Sequence, residues 1–385
     1  MGQYYEANKN LGIIIVSWLL ALTIFLNFVS SLTTTTIGDF IGVWGRAINA
    51  SIAIATFLLS CQTKKEHKYG KIIFLVIIGL WIFSCLNSFI QQATSLLRPV
   101  MLFDMLYNVF FAYVVATKRI ILLPIKIVFY IIAYYFIDVT IILKISTFEI
   151  FRTSAGGMIG TVMLCLGILI QYIEYRDKAR VPILPAFLTL FLSIFSFSRT
   201  SLICSVVYFI SVIFFATRGI NNKVFRYVPF MVILVGVFYW LVRNWDVIMS
   251  WEIYEKFENK GMDSDGRTGI WEAYLGNIDV VNFFFGIPID NSHPLNGLVN
   301  PHNSLIRLHS QIGIFSLFVF YYIVSAIVKF FKTNPFISML IFAMLLRGFF
   351  DIAFFFGDFD FILFALVFEK MLKRQSVSHT KISIL

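Results

Sequence analysis

Charge is the first thing this chain is short of. Asp, Glu, Lys and Arg make up 14% of its residues and 59% are hydrophobic, whereas soluble domains carry about 25% charge. Too few polar side chains remain to cover a water-exposed surface, and a mean hydropathy of +0.84 agrees. Cysteine is nearly as scarce. Cys61, Cys85, Cys165 and Cys204 lie in or at the ends of apolar runs with no CxxC pair, so neither a disulfide framework nor a zinc framework is suggested. There is no P-loop, GxSxG or HExxH stretch, which withholds the residues of phosphate-cradling, serine-hydrolase and zincin chemistry. The ten-residue alternation of an outer-membrane barrel is missing too, as are low-complexity tracts and a clear internal repeat.

What is present is a series of apolar runs of about 17 to 25 residues, the length that crosses a bilayer core at 1.5 Å per helical residue. They read as twelve spans, at roughly 11–30, 41–60, 71–90, 99–117, 120–143, 154–173, 181–198, 201–217, 224–243, 304–328, 336–350 and 354–370. The fold expected is an all-α polytopic membrane protein, residues 1–385 forming one integral membrane domain. Leu11 to Ser31 is long enough to span and lacks a small-residue cleavage site, so it reads as a helix, not a cleaved signal. The pair 181–198 and 201–217 meets at the turn SFSRTS. One helix of that combined length would run about 55 Å through a ~30 Å core, so a hairpin with Arg199 at the membrane boundary is expected.

The net charge of +10 follows from topology and calls for no nucleic acid. With the N terminus inside, only Arg46, Arg98, Lys144, Arg152, Arg199 and Arg347 fall at the short outward loops and span ends. The cations of the other short loops and of the two termini, from Lys9 to Lys381, gather on the opposite side. The positive-inside rule then sets both termini in the cytoplasm. Residues 244–303, between spans nine and ten, become one large outward loop carrying short helices, periplasmic in a Gram-negative cell.

That loop holds the polar chemistry. Asn244 to Lys260 mixes tryptophans with carboxylates, as an interfacial helix does. Gly261 to Gly266 is a turn, Arg267 to Asp279 a short helix capped by Asp265, and Gly286 to Val299 a loop. Asn300 and Pro301 then have the identities favoured at an N-cap and a first helical position. His302 is therefore expected in the first turn of span ten, where the helix dipole disfavours imidazolium and a neutral ring can act as a base. A surface histidine without a role is the plain alternative.

The arginines need separate weighing. Arg199 has no acidic residue within seven positions and needs an anion, a ligand or a snorkelling route to water. Arg267 has Asp263, Asp265 and Glu272 nearby for a local salt bridge. Arg307 is displaced around the tenth span from His302, whereas His309 shares the face of His302. Arg347 and Asp351, at i and i+4, should pair. The spacing of His293, His302 and His309 matches no zinc motif. Glu252, Glu255, Glu258, Asp263 and Asp265 read as a solvated face more than a glycosidase pair. Asp104, Asp138 and Lys126, inside apolar spans, suggest either a relay or interhelical pairs.

Three segments in order, FSFSRTSLI, GRTGIW with the following FFFGIP, and PHNSLIRLHSQIGIFSLF, resemble the O-antigen ligase and polymerase superfamily over roughly residues 185 to 330. The resemblance implies a glycosyltransferase of the bacterial inner membrane. It would use an undecaprenyl-diphosphate-linked oligosaccharide at the periplasmic face, without nucleotide sugar, metal or other cofactor. Arg199 and Arg267 would hold the diphosphate and His302 would assist the acceptor hydroxyl, with Asn303, Arg307 and His309 completing the substrate-binding set. The expected partners are that glycolipid, membrane lipid, and a chain-length regulator and flippase of the same pathway. A polymerase, extending a lipid-linked repeat unit, is favoured over a ligase acting on lipid A-core. A lipid-linked oligosaccharide flippase is the reading of another class.

Overall fold

A computed structural model describes residues 2–32, 36–61, 63–90, 97–151, 157–196, 198–218, 243, 267–287, 289 and 301–369. Among them the regular structure is helical, with one isolated bridge between Leu32 and Phe151. Helix is what hydrocarbon demands, because each apolar run must satisfy its own backbone hydrogen bonds. The helices are α1 (Gly2–Ser31), α2 (Thr36–Ser60), α3 (Lys64–Ile90), α4 (Leu97–Thr117), α5 (Leu122–Ile137), α6 (Thr147–Ile150), α7 (Met158–Lys178), α8 (Ile183–Phe195) and α9 (Arg199–Ala216). They continue with α10 (Arg267–Gly276), α11 (Val280–Phe285), α12 (Ser304–Ile312), α13 (Phe315–Thr333), α14 (Pro335–Phe349) and α15 (360–369).

Among the described residues six segments are long and apolar enough to cross a membrane: Leu11–Ser31, Lys64–Ile90, Leu122–Ile142, Met158–Lys178, Arg199–Ala216 and Phe315–Thr333. The chain is a multi-pass membrane protein of all-α class. The ninth expected span, the interfacial helix from Asn244, the turn with its Asp265 cap and most of the 286–299 loop lie outside the described residues.

Helix α7 is the central post, buried from Ile159 to Glu174. Close approach is purchased with small residues: a Cβ on Gly160 would stand 2.4 Å from the Ser201 Cβ of α9. The expected hairpin is present, α8 and α9 being separated by residues 196–198, with Ser198 capping α9. The intramembrane ionisable groups divide into pairs. Lys126 meets Glu174 at 2.7 Å and Arg46 meets Asp104 at 2.6 Å, while Asp138 opens a π-helical turn, Asp138–Ile142.

Two expected spans differ from what their hydropathy implies. Span ten is not continuous, because it breaks between α12 and α13 at Gly313. There the apolar NFFF run, itself the helix α11, packs so closely that a Cβ on Gly313 would meet the Phe284 carbonyl oxygen at 2.0 Å. Ile314 N–H donates to that same carbonyl at 3.0 Å. The twelfth span starts its helix later than expected. Its helix α15 begins at 360 instead of 354 and is preceded by an irregular stretch, 350–359.

Irregular backbone beside hydrocarbon persists only where protein satisfies it, and side chains do so here. Asn108 donates to the Gly357 carbonyl at 2.8 Å and Tyr107 to the Asp358 carbonyl at 3.1 Å. The Asp360 carboxylate accepts from the Phe355 and Gly357 amides at 2.9 and 3.0 Å. Phe355 and Phe356 are left-handed, at φ 62° and 68°.

Candidate functional site

The site begins at the α8–α9 hairpin. Arg199 is the first residue of α9 and half-buried. Thr200 beside it receives a bond from a second arginine, Arg347 of α14, at 3.5 Å. Arg347 is 1% exposed. Its guanidinium also donates to Thr161 Oγ1 at 2.9 Å, to the Gly157 carbonyl at 3.4 Å and to Asp351 Oδ2 at 2.8 Å. The i,i+4 pair expected from the sequence therefore forms, deep in the bundle, where α7, α9 and α14 meet.

Asp351 carries the chain of contacts onward. Its Oδ2 belongs to Arg347, while its Oδ1 accepts from the Ile352 amide at 2.9 Å and lies 3.9 Å from His302 Nδ1. Burial alone pushes this carboxyl up. The Arg347 guanidinium, the adjoining His302 ring and the Ile352 amide outweigh burial and hold it well below the usual carboxylate range. A bond from Ser304 Oγ to the Asp351 carbonyl, 2.7 Å, ties the start of α12 to the same turn.

His302 is not in the first turn of a helix. Helix α12 starts at Ser304, and its N-cap is Asn303, whose side chain accepts from the Leu305 and Ile306 amides at 2.8 and 3.2 Å. Asn300 lies outside the described residues, and Pro301 precedes the helix. With Asn303 occupied as the cap, His302 falls outside the helical turn at φ 47°. That left-handed conformation is uncommon for a residue with a Cβ, though histidine tolerates it better than most. Asn303, expected among the substrate contacts, thus has its side-chain oxygen committed to helix capping.

Helix α10 closes the third side. Arg267 opens it. One turn after Arg267, the Trp271 indole N–H donates to the Pro301 carbonyl at 3.0 Å, immediately before His302, and its ring meets Phe349 of α14 edge-on. The backbone positions of Arg199, Arg267 and His302 are thereby linked through Thr200, Arg347, Asp351, Trp271 and Pro301.

The other two candidates have different surroundings. His309 bonds Tyr274 Oη through Nδ1 at 2.7 Å and the Phe283 carbonyl through Nε2 at 3.1 Å. Both ring nitrogens therefore serve the fold. Arg307 bonds the Phe356 carbonyl at 3.4 Å, close to the irregular stretch 350–359.

Sequence reasoning missed Asp351 as a neighbour of His302 and Trp271 as the residue that holds Pro301. A signal existed for each: Asp351 adjoins a span end one turn beyond an intramembrane arginine, and Trp271 is the aromatic position of GRTGIW. His293 and the carboxylates from Glu252 to Asp265 lie outside the described residues. The chain matches no protein-family model, no curated protein and no solved structure.

Proposed function

We propose that this protein is a membrane glycosyltransferase that moves a glycan from a polyprenyl diphosphate, such as undecaprenyl diphosphate, to an acceptor hydroxyl. It is read as a polymerase of O-antigen or a related surface polysaccharide. Its twelve spans cross a bacterial inner membrane with both termini cytoplasmic and the 244–303 loop on the periplasmic face. The observation that supports the reading is the convergence of His302 and Asp351 with the helix starts bearing Arg199 and Arg267.

The chemistry follows from those groups. The His302 imidazole takes the proton of the acceptor hydroxyl as its oxygen attacks the anomeric carbon. The bond from that carbon to the diphosphate breaks, the electron pair leaving with the phosphate oxygen, and the centre inverts. Arg199 and Arg267 stabilise the departing diphosphate through charge-assisted hydrogen bonds. The Asp351 carboxylate compensates the charge that His302 acquires, and Arg347 keeps that carboxylate ionised and in place. No metal has a part in these steps.

The discontinuous helices also suit a transporter, where broken helices line substrate sites. Among the described residues both breaks, at Gly313 and at 350–359, lie in the C-terminal third of the chain, whereas inverted repeats put them at corresponding points of two halves. Purified protein in lipid, given a synthetic diphosphate-linked repeat unit and a lipid A-core acceptor together, separates the readings. Elongation of the repeat unit is expected. Transfer to core alone identifies a ligase, and movement across vesicles without either product overturns the transferase.

A further inference from the structure

We propose that His309 is a positioning residue: by gripping Tyr274 and the Phe283 carbonyl together, it sets helix α10 against the loop that carries His302. The catalytic meaning of this grip rests on the function proposed above, but the grip itself is independent of it.

The hydrogen bonding has one consistent direction. The Phe283 carbonyl can only accept, so His309 Nε2 carries the proton and donates to it across 3.1 Å. Nδ1 is then the acceptor for the Tyr274 hydroxyl at 2.7 Å, while that hydroxyl oxygen accepts from the Ile287 amide at 3.4 Å. Tyr274 is 1% exposed, and a buried hydroxyl that loses its partner incurs the full cost of desolvation. One imidazole thus holds α10, through Tyr274, and α11, through Phe283, on α12.

The backbone reinforces the same contact. A Cβ on Gly286 would lie 2.1 Å from the His309 carbonyl oxygen, so only glycine permits the chain leaving α11 to pass this close to α12. One turn before Tyr274 on α10, the Trp271 bond to Pro301 fastens the helix beside His302. Arg267, Trp271 and Tyr274 stand at i, i+4 and i+7, one stripe of the helix. Its middle and last members are fastened, and the first is the arginine assigned to the diphosphate. Release at His309 removes the side-chain bond that fixes the Tyr274 turn of α10 and lets the helix shift about the Trp271–Pro301 contact, moving the Arg267 backbone relative to His302.

The test compares wild type with His309→Leu, Tyr274→Phe and His309→Gln in lipid. It follows amide hydrogen exchange over 267–285 together with KM and kcat for the diphosphate-linked donor. Glutamine offers one acceptor and one donor at a spacing close to that of the ring nitrogens. His309→Leu and Tyr274→Phe should speed exchange over 267–285 about tenfold, with exchange in α7 unchanged. KM should rise about tenfold with a smaller change in kcat, since the displaced group binds the donor before and during transfer. His309→Gln should restore both readouts substantially.

A merely structural role would lower the amount of active protein and leave KM alone. Unchanged exchange in His309→Leu overturns the proposal, as does faster exchange with an unchanged KM. Should His309→Leu fail to fold, Tyr274→Phe, which removes only an oxygen, gives the same two readings. If wild type performs no transfer while exchange rises in both variants, the grip stands and the transferase reading falls.

Discussion

Replacing Asp351 by Asn changes one oxygen to nitrogen and removes one charge, so its effects on folding and on chemistry can be worked out separately. For folding, taking one partner from a buried ion pair costs about 3–5 kcal/mol. Asp351 is 29% exposed at the side chain. Arg347 keeps its bonds to Thr161, Thr200 and the Gly157 carbonyl, and Asn retains an acceptor, so ~2 kcal/mol is the reasonable loss. For chemistry, an opposite charge about 4 Å from a newly protonated imidazole is worth ~4 kcal/mol at an effective dielectric of 20. Screening at a site about a third exposed roughly halves this, which leaves a fall in kcat of about 30-fold.

The assay is single-turnover transfer from a synthetic diphosphate-linked repeat, paired with thermal unfolding in the same detergent. Adding Arg347→Met to Asp351→Asn removes the orphaned cation and should recover part of the stability but none of the rate. A transfer rate within about threefold of wild type in folded Asp351→Asn would refute the assignment. The pH dependence has a definite sign. The folded carboxyl titrates below its ordinary value of 3.8, so its stabilising contribution is complete above that pH and is lost as pH falls through the lower folded value. Asp351→Asn should therefore flatten the acid limb of the stability curve.

His302→Gly should abolish transfer while leaving thermal stability within about 1 kcal/mol of wild type, because glycine adopts φ 47° without strain; normal chain elongation by this variant excludes His302 as the base. Arg199→Lys keeps the charge but not the guanidinium fork, and donor binding should weaken at least about tenfold in a titration with the lipid diphosphate. Wild-type affinity would remove Arg199 from the diphosphate site. Asn303→Ala should lower stability by ~1 kcal/mol through loss of the α12 cap, with Asn303→Asp close to wild type. An Asn303→Ala protein that unfolds normally yet fails to bind donor would return Asn303 to the substrate contacts.

Much of the architecture is legible in single segments of sequence. Hydropathy over about twenty residues decides that Leu11–Ser31 or Met158–Lys178 is a membrane helix, since the transfer free energy belongs to those residues alone. The hairpin at Arg199 follows from a length limit, and the Arg347–Asp351 pair follows from helical spacing. These inferences need no partner distant in the chain.

What hydropathy could not decide is where an apolar run stops being helix. The break at Gly313 depends on the Phe284 carbonyl, and the irregular 350–359 stretch depends on Tyr107 and Asn108 of a helix some 250 positions earlier. The cap of α12 passed from Asn300 to Asn303 because its side-chain oxygen reaches two amides. His309 looked like a companion of His302 by spacing and became a fastener once Tyr274 was placed against it. The sequence by itself determined a multi-pass helical membrane protein, the presence of His302, Arg199 and Arg267, and the local pairing of Arg347. Only the tertiary structure decided that Asp351 faces His302 and that Trp271 holds the residue before it. Helix formation and membrane transfer are energies of neighbouring residues, whereas the geometry of a polar site is set by hydrogen bonds between groups that meet only after the helices pack.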